Sequence, residues 1–161
     1  MTREESGWVL ARVWLNAVEE SARDFFGKKP RMFTRRAYKH ATETWLRILE
    51  TDYGLKAKKA KTMKEAVENY IDIGVKGGLF KDNSQFELDE VIPTRLKVNV
   101  LSCQYYNSCR DLISEGVPVS SLTCARIGCF SSAVKLLANI ACDYEIDSVN
   151  EEGCVGVIED I

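Results

Sequence analysis

The stretch FELDEVIPTRLKVNV, Phe86–Val100, is where the backbone chemistry of the chain changes. Phe86-Glu87-Leu88-Asp89 and Arg95-Leu96-Lys97-Val98-Asn99-Val100 alternate apolar and polar residues. A period of two puts successive side chains on opposite faces of an extended backbone, so both segments read as half-buried strands. Asn83 and Pro93 punctuate them.

Toward the N-terminus the period is helical instead. From Glu4 to Phe26 the residues Trp8, Val9, Leu10, Val13, Trp14, Ala17, Val18, Ala22 and Phe25 recur at steps of three and four, which predicts an amphipathic helix. Gly27 and Pro30 end it. Thr34 is then the expected cap of a second helix, with Tyr38, Ala41, Trp45, Ile48 and Leu49 on one face and Gly54 at its close. Thr62 followed by Glu65 is a capping-box pattern, and Ala66, Val67, Tyr70, Ile71 and Ile73 continue a third helix until Gly74, Gly77 and Gly78.

Toward the C-terminus, Tyr105 to Ser114 reads as a short helix, and Gly116 and Pro118 as a turn. Ser120 or Ser121 is the expected cap of a longer helix through Ala133, Val134, Leu137 and Ile140. A hairpin closes the chain, with arms Tyr144 to Val149 and Cys154 to Ile158. Its connection, Asn150-Glu151-Glu152-Gly153, has Asn and Gly where a tight turn requires positive φ. The fold class is therefore α/β of the α+β kind, with N-terminal helices packed on an antiparallel sheet followed by a C-terminal helix and β-hairpin. One domain is expected over residues 1–161, with a helical part over about 1–80 and a mixed α/β part over about 81–161.

At 161 residues and 45% hydrophobic content the chain is large enough to bury a core without covalent staples. Its 22 basic and 24 acidic side chains give a net charge of 22 − 24 = −2, which supplies no global attraction to nucleic acid or anionic lipid. Acidic residues precede the first apolar positions, and Arg12, Asn16 and Glu19 interrupt those that follow, unlike a secretory signal. No run approaches the roughly 20 apolar residues of a membrane span. A cytoplasmic protein that contacts neither membrane nor nucleic acid is expected. In a reducing compartment its six cysteines point to metal binding, thiol chemistry or burial rather than disulfides.

The cysteines are spaced C-x5-C at Cys103 and Cys109, C-x4-C at Cys124 and Cys129, then Cys142 and Cys154. Thiolates hold zinc tetrahedrally at about 2.3 Å, and loops and element ends are the usual source of ligands that must converge so closely. Cys103 at a strand end, Cys124 at a helix start and Cys154 at the start of a hairpin arm meet that requirement, and Cys109 is near enough to Cys103 to join them. Cys129 is five residues beyond Cys124, about 140° around a regular helix, and points elsewhere. It and Cys142 read as buried small hydrophobes. A thiol switch, resting on a lowered thiolate pKa, is the other open alternative.

The aromatics Trp8, Trp14, Phe25, Phe26, Phe33, Tyr38 and Trp45 have the spacing of core residues, with a ligand cavity as the alternative. Tyr105 and Tyr106, paired at a strand-to-helix junction, fit a ligand contact better. The basic residues Lys28, Lys29, Arg31, Arg35, Arg36 and Lys39, with Lys56, Lys58, Lys59, Lys61 and Lys64, read as a solvated surface. His40, with Glu43 three residues on, is a minor acid–base option. There is no G-x-S-x-G motif, no Gly-rich phosphate loop after a strand, and no catalytic residue is assigned.

The order of elements and the Cys-x-Gly of the last hairpin resemble the 4-vinyl reductase (hydrocarbon-binding) domain, an α/β fold related to subunits of the TRAPP complexes, best over about Phe86 to Ile158. That family includes sensor domains of phenol-responsive activators and archaeal stand-alone proteins. The resemblance implies a structural zinc, held by cysteines and a carboxylate beside an aromatic-ligand pocket. Leu122-Thr123-Cys124 resembles the segment of the first Cys, Tyr144-Glu145-Ile146-Asp147 that of the carboxylate, with Glu145 as candidate, and Cys154 matches the last Cys. The family's Cys after the acidic strand is replaced near Ser148, which leaves Cys103 and Cys109 as substitutes, and Tyr105 is similar in position to a pocket-lining aromatic. The 2-amino-thiazoline-4-carboxylate hydrolases place cysteines similarly.

The expectation is a homodimeric, sensor-like binding domain rather than an enzyme. It takes an apolar or aromatic small molecule through Tyr105, Tyr106 and Trp45, and zinc through Cys103, Cys109, Cys124 and Cys154. A thiol-dependent hydrolase or a vinyl-group reductase is the alternative, and a module that packs its apolar helices on a partner chain is a third.

Overall fold

In the first helix, α1 (Arg3–Phe26), the Thr2 hydroxyl accepts from the Glu5 amide at 3.1 Å, while the Glu5 carboxylate accepts from the Thr2 amide at 2.6 Å. This reciprocal cap satisfies two free donors of the first turn. The computed structural model describes residues 1–28 and 30–161, so Lys29 of the basic run lies outside the described residues.

The second helix, α2 (Arg31–Tyr53), starts three residues before the expected Thr34 cap. Thr34 is buried inside its first turn, where its hydroxyl donates to the Pro30 carbonyl at 3.2 Å, a local bond that a Thr makes equally well within a helix. Gly54, in the left-handed conformation, ends α2 as expected. The third helix, α3 (Met63–Lys76), is capped by Thr62, but the Glu65 carboxylate accepts from Lys61 rather than from Thr62, so only half of the box forms.

The strands β1 (Phe86–Ile92), β2 (Arg95–Val100), β3 (Cys142–Val149) and β4 (Cys154–Asp160) form one antiparallel sheet in the order β1-β2-β4-β3. Both hairpins are where the period of two puts them. The connection at Asn150 uses no positive φ; the Asn150 side chain accepts from the Gly153 amide at 2.7 Å, and the Asn150 amide donates to the Gly153 carbonyl at 3.0 Å. Leu96, Val98, Val100, Tyr144, Ile146 and Ile158 bury one side of the sheet against α3 and α5 (Ala125–Ala133). Charged residues such as Glu87, Lys97 and Glu145 alternate with them and stay exposed.

Helix α4 (Tyr106–Ser114) leads from β2 toward α5. The expected start of α5 needs correction. Ser120 and Ser121 lie in a single 3-10 turn, Val119–Ser121, and the residue preceding α5 is Cys124. The helix then widens into a π-type turn, Val134–Ala138, that ends at Asn139 in the left-handed conformation.

Helix α1 is turned against the usual rule. Its inward side carries Arg12, Asn16, Glu19 and Arg23, which bond Asp111, Ser108, Tyr38 and the Ser121 carbonyl, whereas Val9, Leu10, Val13 and Trp14 are exposed. Phe25, Phe26 and Phe33 are exposed too, so the aromatic set of the first two helices is only partly core. Among the described residues no helix is long and apolar enough to cross a membrane.

Candidate functional site

Cys124 is buried at the N-terminus of α5 with φ 38° and ψ 102°, a backbone conformation that L residues rarely adopt. The surroundings hold it there. The Thr123 carbonyl accepts from the Tyr144 hydroxyl, Thr123 Oγ1 is 3.2 Å from the Tyr38 hydroxyl, and the Ser121 and Ser120 carbonyls accept from Arg23 and Arg31, each at 3.2 Å. Tyr38 reaches this point because Gly128 lets its ring lie on the α5 backbone: a Cβ at Gly128 would be 2.4 Å from the ring.

Cys109, on α4, and Cys154, at the start of β4, are the neighbours that act most strongly on Cys124. These two neighbours, Cys109 first, hold Cys124 well below the ordinary thiol range; the backbone amides of Ile127 and Arg126 help, and burial opposes. The same interactions push Cys109 and Cys154 far up. Cys103, in the turn after β2, is raised by burial and lowered by Arg126, and Cys109, Cys124 and Cys154 all lie within its electrostatic reach. Its amide donates to the Glu152 carbonyl at 2.9 Å, which ties this turn to the β3–β4 connection. Cys103, Cys109, Cys124 and Cys154, from four separate places in the chain, thus come within electrostatic reach of one another.

The donor chemistry of that set suits a soft divalent ion such as zinc. Among the described residues, however, no group of three or more His, Cys, Asp or Glu side chains is arranged to hold a metal ion. Cys129 and Cys142 are outside the cluster: Cys129 neighbours Thr42 and Tyr70, and Cys142 donates to the Ser131 carbonyl at 3.4 Å. Glu145 points away, exposed on the outer face of β3 with Arg31 at 3.4 Å.

A cavity of about 10 Å³ adjoins the cluster, lined by Glu19, Tyr38, Tyr105, Ser108, Cys109 and Cys124 among others. It has room for about one water or an ion and none for an aromatic molecule. Glu19 is raised by burial, against the hydrogen bond from the Tyr38 hydroxyl at 2.6 Å and the charge of Arg23. Tyr105 is in this lining but Tyr106 and Trp45 are not; Trp45 is half-buried against Gly77, its indole N–H unpartnered. His40 is exposed beside Glu43, and three residues of the basic run are structural: Arg31 donates to the Tyr144 carbonyl, Arg35 pairs with Asp143, and Lys59 donates to the Leu136 carbonyl.

The sequence reading missed Arg126. It is 1% exposed, with its Cζ 4.5 Å from the centre of the Phe80 ring, 4.7 Å from that of Tyr105 and 6.0 Å from that of Phe130. Its Nη2 donates to Gln104 Oε1 at 2.9 Å, and its Nε has no partner. The signal was a single charge inside the apolar run Leu122–Phe130, two residues after Cys124. No family model matches the chain, and no curated protein and no solved structure matches it significantly.

Proposed function

We propose that this chain is a sensor-like binding domain that takes a soft divalent metal ion, zinc first, through Cys103, Cys109, Cys124 and Cys154. The observation that carries the reading is the gathering of four cysteines from separate elements around one strained, helix-capping Cys124. Helix N-terminal amides stabilise a sulfur anion there, and three further thiols supply the remaining positions of a tetrahedral shell once they are deprotonated. Binding would deprotonate the thiols and release protons. Such an ion is structural, since it cross-links β2, α4, α5 and β4. The outward apolar side of α1 suits a homodimer, and an apolar depression of about 420 Å³ at Phe26, Pro30, Met32 and Phe33 suits an apolar or aromatic ligand.

Elemental analysis of the purified protein tests the metal. About one zinc per chain, lost in Cys124→Ser and Cys154→Ser together with thermal stability, is expected. Metal-free protein whose stability neither substitution changes would refute it.

The strained backbone of Cys124 favours a second reading, a thiolate nucleophile of a hydrolase, because a depressed pKa at a helix N-terminus also activates sulfur. Rapid stoichiometric alkylation of Cys124 in zinc-supplemented protein would support it over the metal reading.

A further inference from the structure

Met32, Arg35, Arg36 and Lys39 recur at steps of three and four, so they share one side of α2. They form one side of a groove whose other side is Gly128, Ser131 and Ser132 of α5 and Lys135 of the π-type turn, at the same spacing. Glycine and serine are small, which leaves about 310 Å³ open between the two helices. Both serines are buried and engaged, Ser132 donating to the Gly128 carbonyl at 2.9 Å and Ser131 lying 3.4 Å from the Cys142 sulfur. The polar groups left to meet a ligand are therefore cations. Arg35 pairs with Asp143 but its Nε is unpartnered, and Lys39 reaches Glu43 only at 3.6 Å. Among the described residues no carboxylate lines this groove, and none pairs with Arg36, which is exposed, or with Lys135, which is half-buried.

The groove continues into an apolar surface. Met32 also lines the depression of about 420 Å³ at Phe26, Pro30 and Phe33, where the Phe26 and Phe33 rings stack with their centres 5.3 Å apart. An apolar surface and a cationic one thus meet at a single side chain, 86% exposed. We propose that the two form one binding site for a small amphipathic anion, a phosphate monoester whose aromatic or aliphatic body lies on Phe26, Met32 and Phe33 and whose phosphate meets Arg36, Lys39 and Lys135. Charge selects the head. A phosphate monoester carries about −1.5 to −2 at pH 7, which the two cations without a carboxylate partner match, whereas a carboxylate would neutralise only one of them. An arginine fork and lysine point charges are also the side chains that phosphate oxygens take best. The inference rests on the apolar-ligand reading of the depression and adds the charged half of that ligand.

Calorimetric titration of the full chain with 1-naphthyl phosphate, 1-naphthol and inorganic phosphate tests it. Naphthyl phosphate is expected to bind at least about tenfold more tightly than either of the others, and to weaken as salt rises. Arg36→Gln and Lys135→Gln should each lower its affinity by about fivefold to tenfold and leave naphthol unchanged, while Met32→Asp should weaken both compounds. If Lys135→Gln does not fold, the exposed Arg36→Gln decides alone. Naphthol bound as tightly as naphthyl phosphate, or Gln variants with wild-type affinity, would overturn the anion site and leave the apolar ligand standing. Inorganic phosphate bound as tightly as naphthyl phosphate would overturn the joining of the two surfaces. Failure of both naphthyl compounds to bind would overturn the apolar-ligand reading as well. The same head is presented by a lipid, so the chain is also sedimented with phosphatidylcholine vesicles containing phosphatidic acid. Binding to those vesicles without binding to naphthyl phosphate would overturn the small-molecule site in favour of a bilayer surface.

Discussion

A Cβ added to Gly153 would lie 1.8 Å from the carbonyl oxygen of Val100, and the obstructing atoms are backbone. Gly153 precedes Cys154, which is opposite Val100 on β2 and Val149 on β3. Close approach, not a positive φ, is therefore what requires glycine here, and it seats the Cys154 sulfur beside Cys124.

Gly153→Ala is expected to force the β3–β4 connection away from β2 and to cost about 1–3 kcal/mol, the usual range for overpacking. Urea denaturation should show a lowered midpoint. Thiol titration of the folded variant should show slower reaction at Cys124, which loses the Cys154 neighbour that helps hold its thiol below the ordinary range. A variant with the wild-type midpoint and thiol kinetics would contradict this account.

Glu19 makes stability depend on pH in a direction opposite to that of a paired surface carboxylate. Burial raises its folded value above the ordinary 4.5, so the folded chain binds the proton more tightly than the unfolded one. Its contribution is full below about pH 4.5 and is lost as pH rises through the raised folded value. Glu19→Gln, which keeps the shape and still accepts from Tyr38, is expected to flatten that decline. Thermal midpoints measured from pH 4 to 8 on both proteins check it.

Asp111 acts the other way. Arg12 donates to it at 2.6 and 2.5 Å and Asn16 at 2.9 Å, and these bonds, Arg12 first, hold its carboxyl below the ordinary 3.8. Its contribution is present above that value and is lost as pH falls through the lower folded one. Because this cluster clamps α1 to α4, Asp111→Asn is expected to raise amide hydrogen exchange in the first half of α1, leaving the sheet protected. Equal exchange in α1 of both proteins would show that the clamp does not hold the helix.

Much of this architecture was legible in the sequence, and the exceptions share a cause. Phe86–Val100 and the last hairpin were readable because one face of the sheet is core and the other solvent, which is the condition for a period of two. The capping serines were misleading because Ser120 and Ser121 suit a 3-10 turn as well as a helix start, and α5 begins only after Cys124, where tertiary bonds hold the neighbouring Thr123. The places of Cys103, Cys124 and Cys154 at element ends were legible, whereas Cys109 lies inside α4 and was grouped with them only by its nearness to Cys103. Arg126 and Glu19 were not legible, since burial of a charge depends on long-range partners that no local pattern encodes.

The orientation of α1 belongs with these exceptions and carries the last prediction. Periodicity shows that a helix has two faces but not which one is covered, and here the polar face is used inward. Val9, Leu10, Val13 and Trp14 then form an apolar stripe with Trp14 65% exposed, an arrangement that a single chain gains nothing from. A second copy that packs its own α1 along the stripe removes it from water in both chains, and large aromatics near the centre of such a contact dominate its energy. Trp14→Glu is expected to weaken dimerisation by at least about tenfold, or about 1.4 kcal/mol, without altering far-ultraviolet dichroism. Sedimentation should show it as a shift toward the 18.2 kDa chain. A wild-type protein that sediments as a monomer at high micromolar concentration would instead mean that the stripe is not covered by a second copy. The inward bonds of Arg12, Asn16 and Glu19 would then have to hold the helix in place without it.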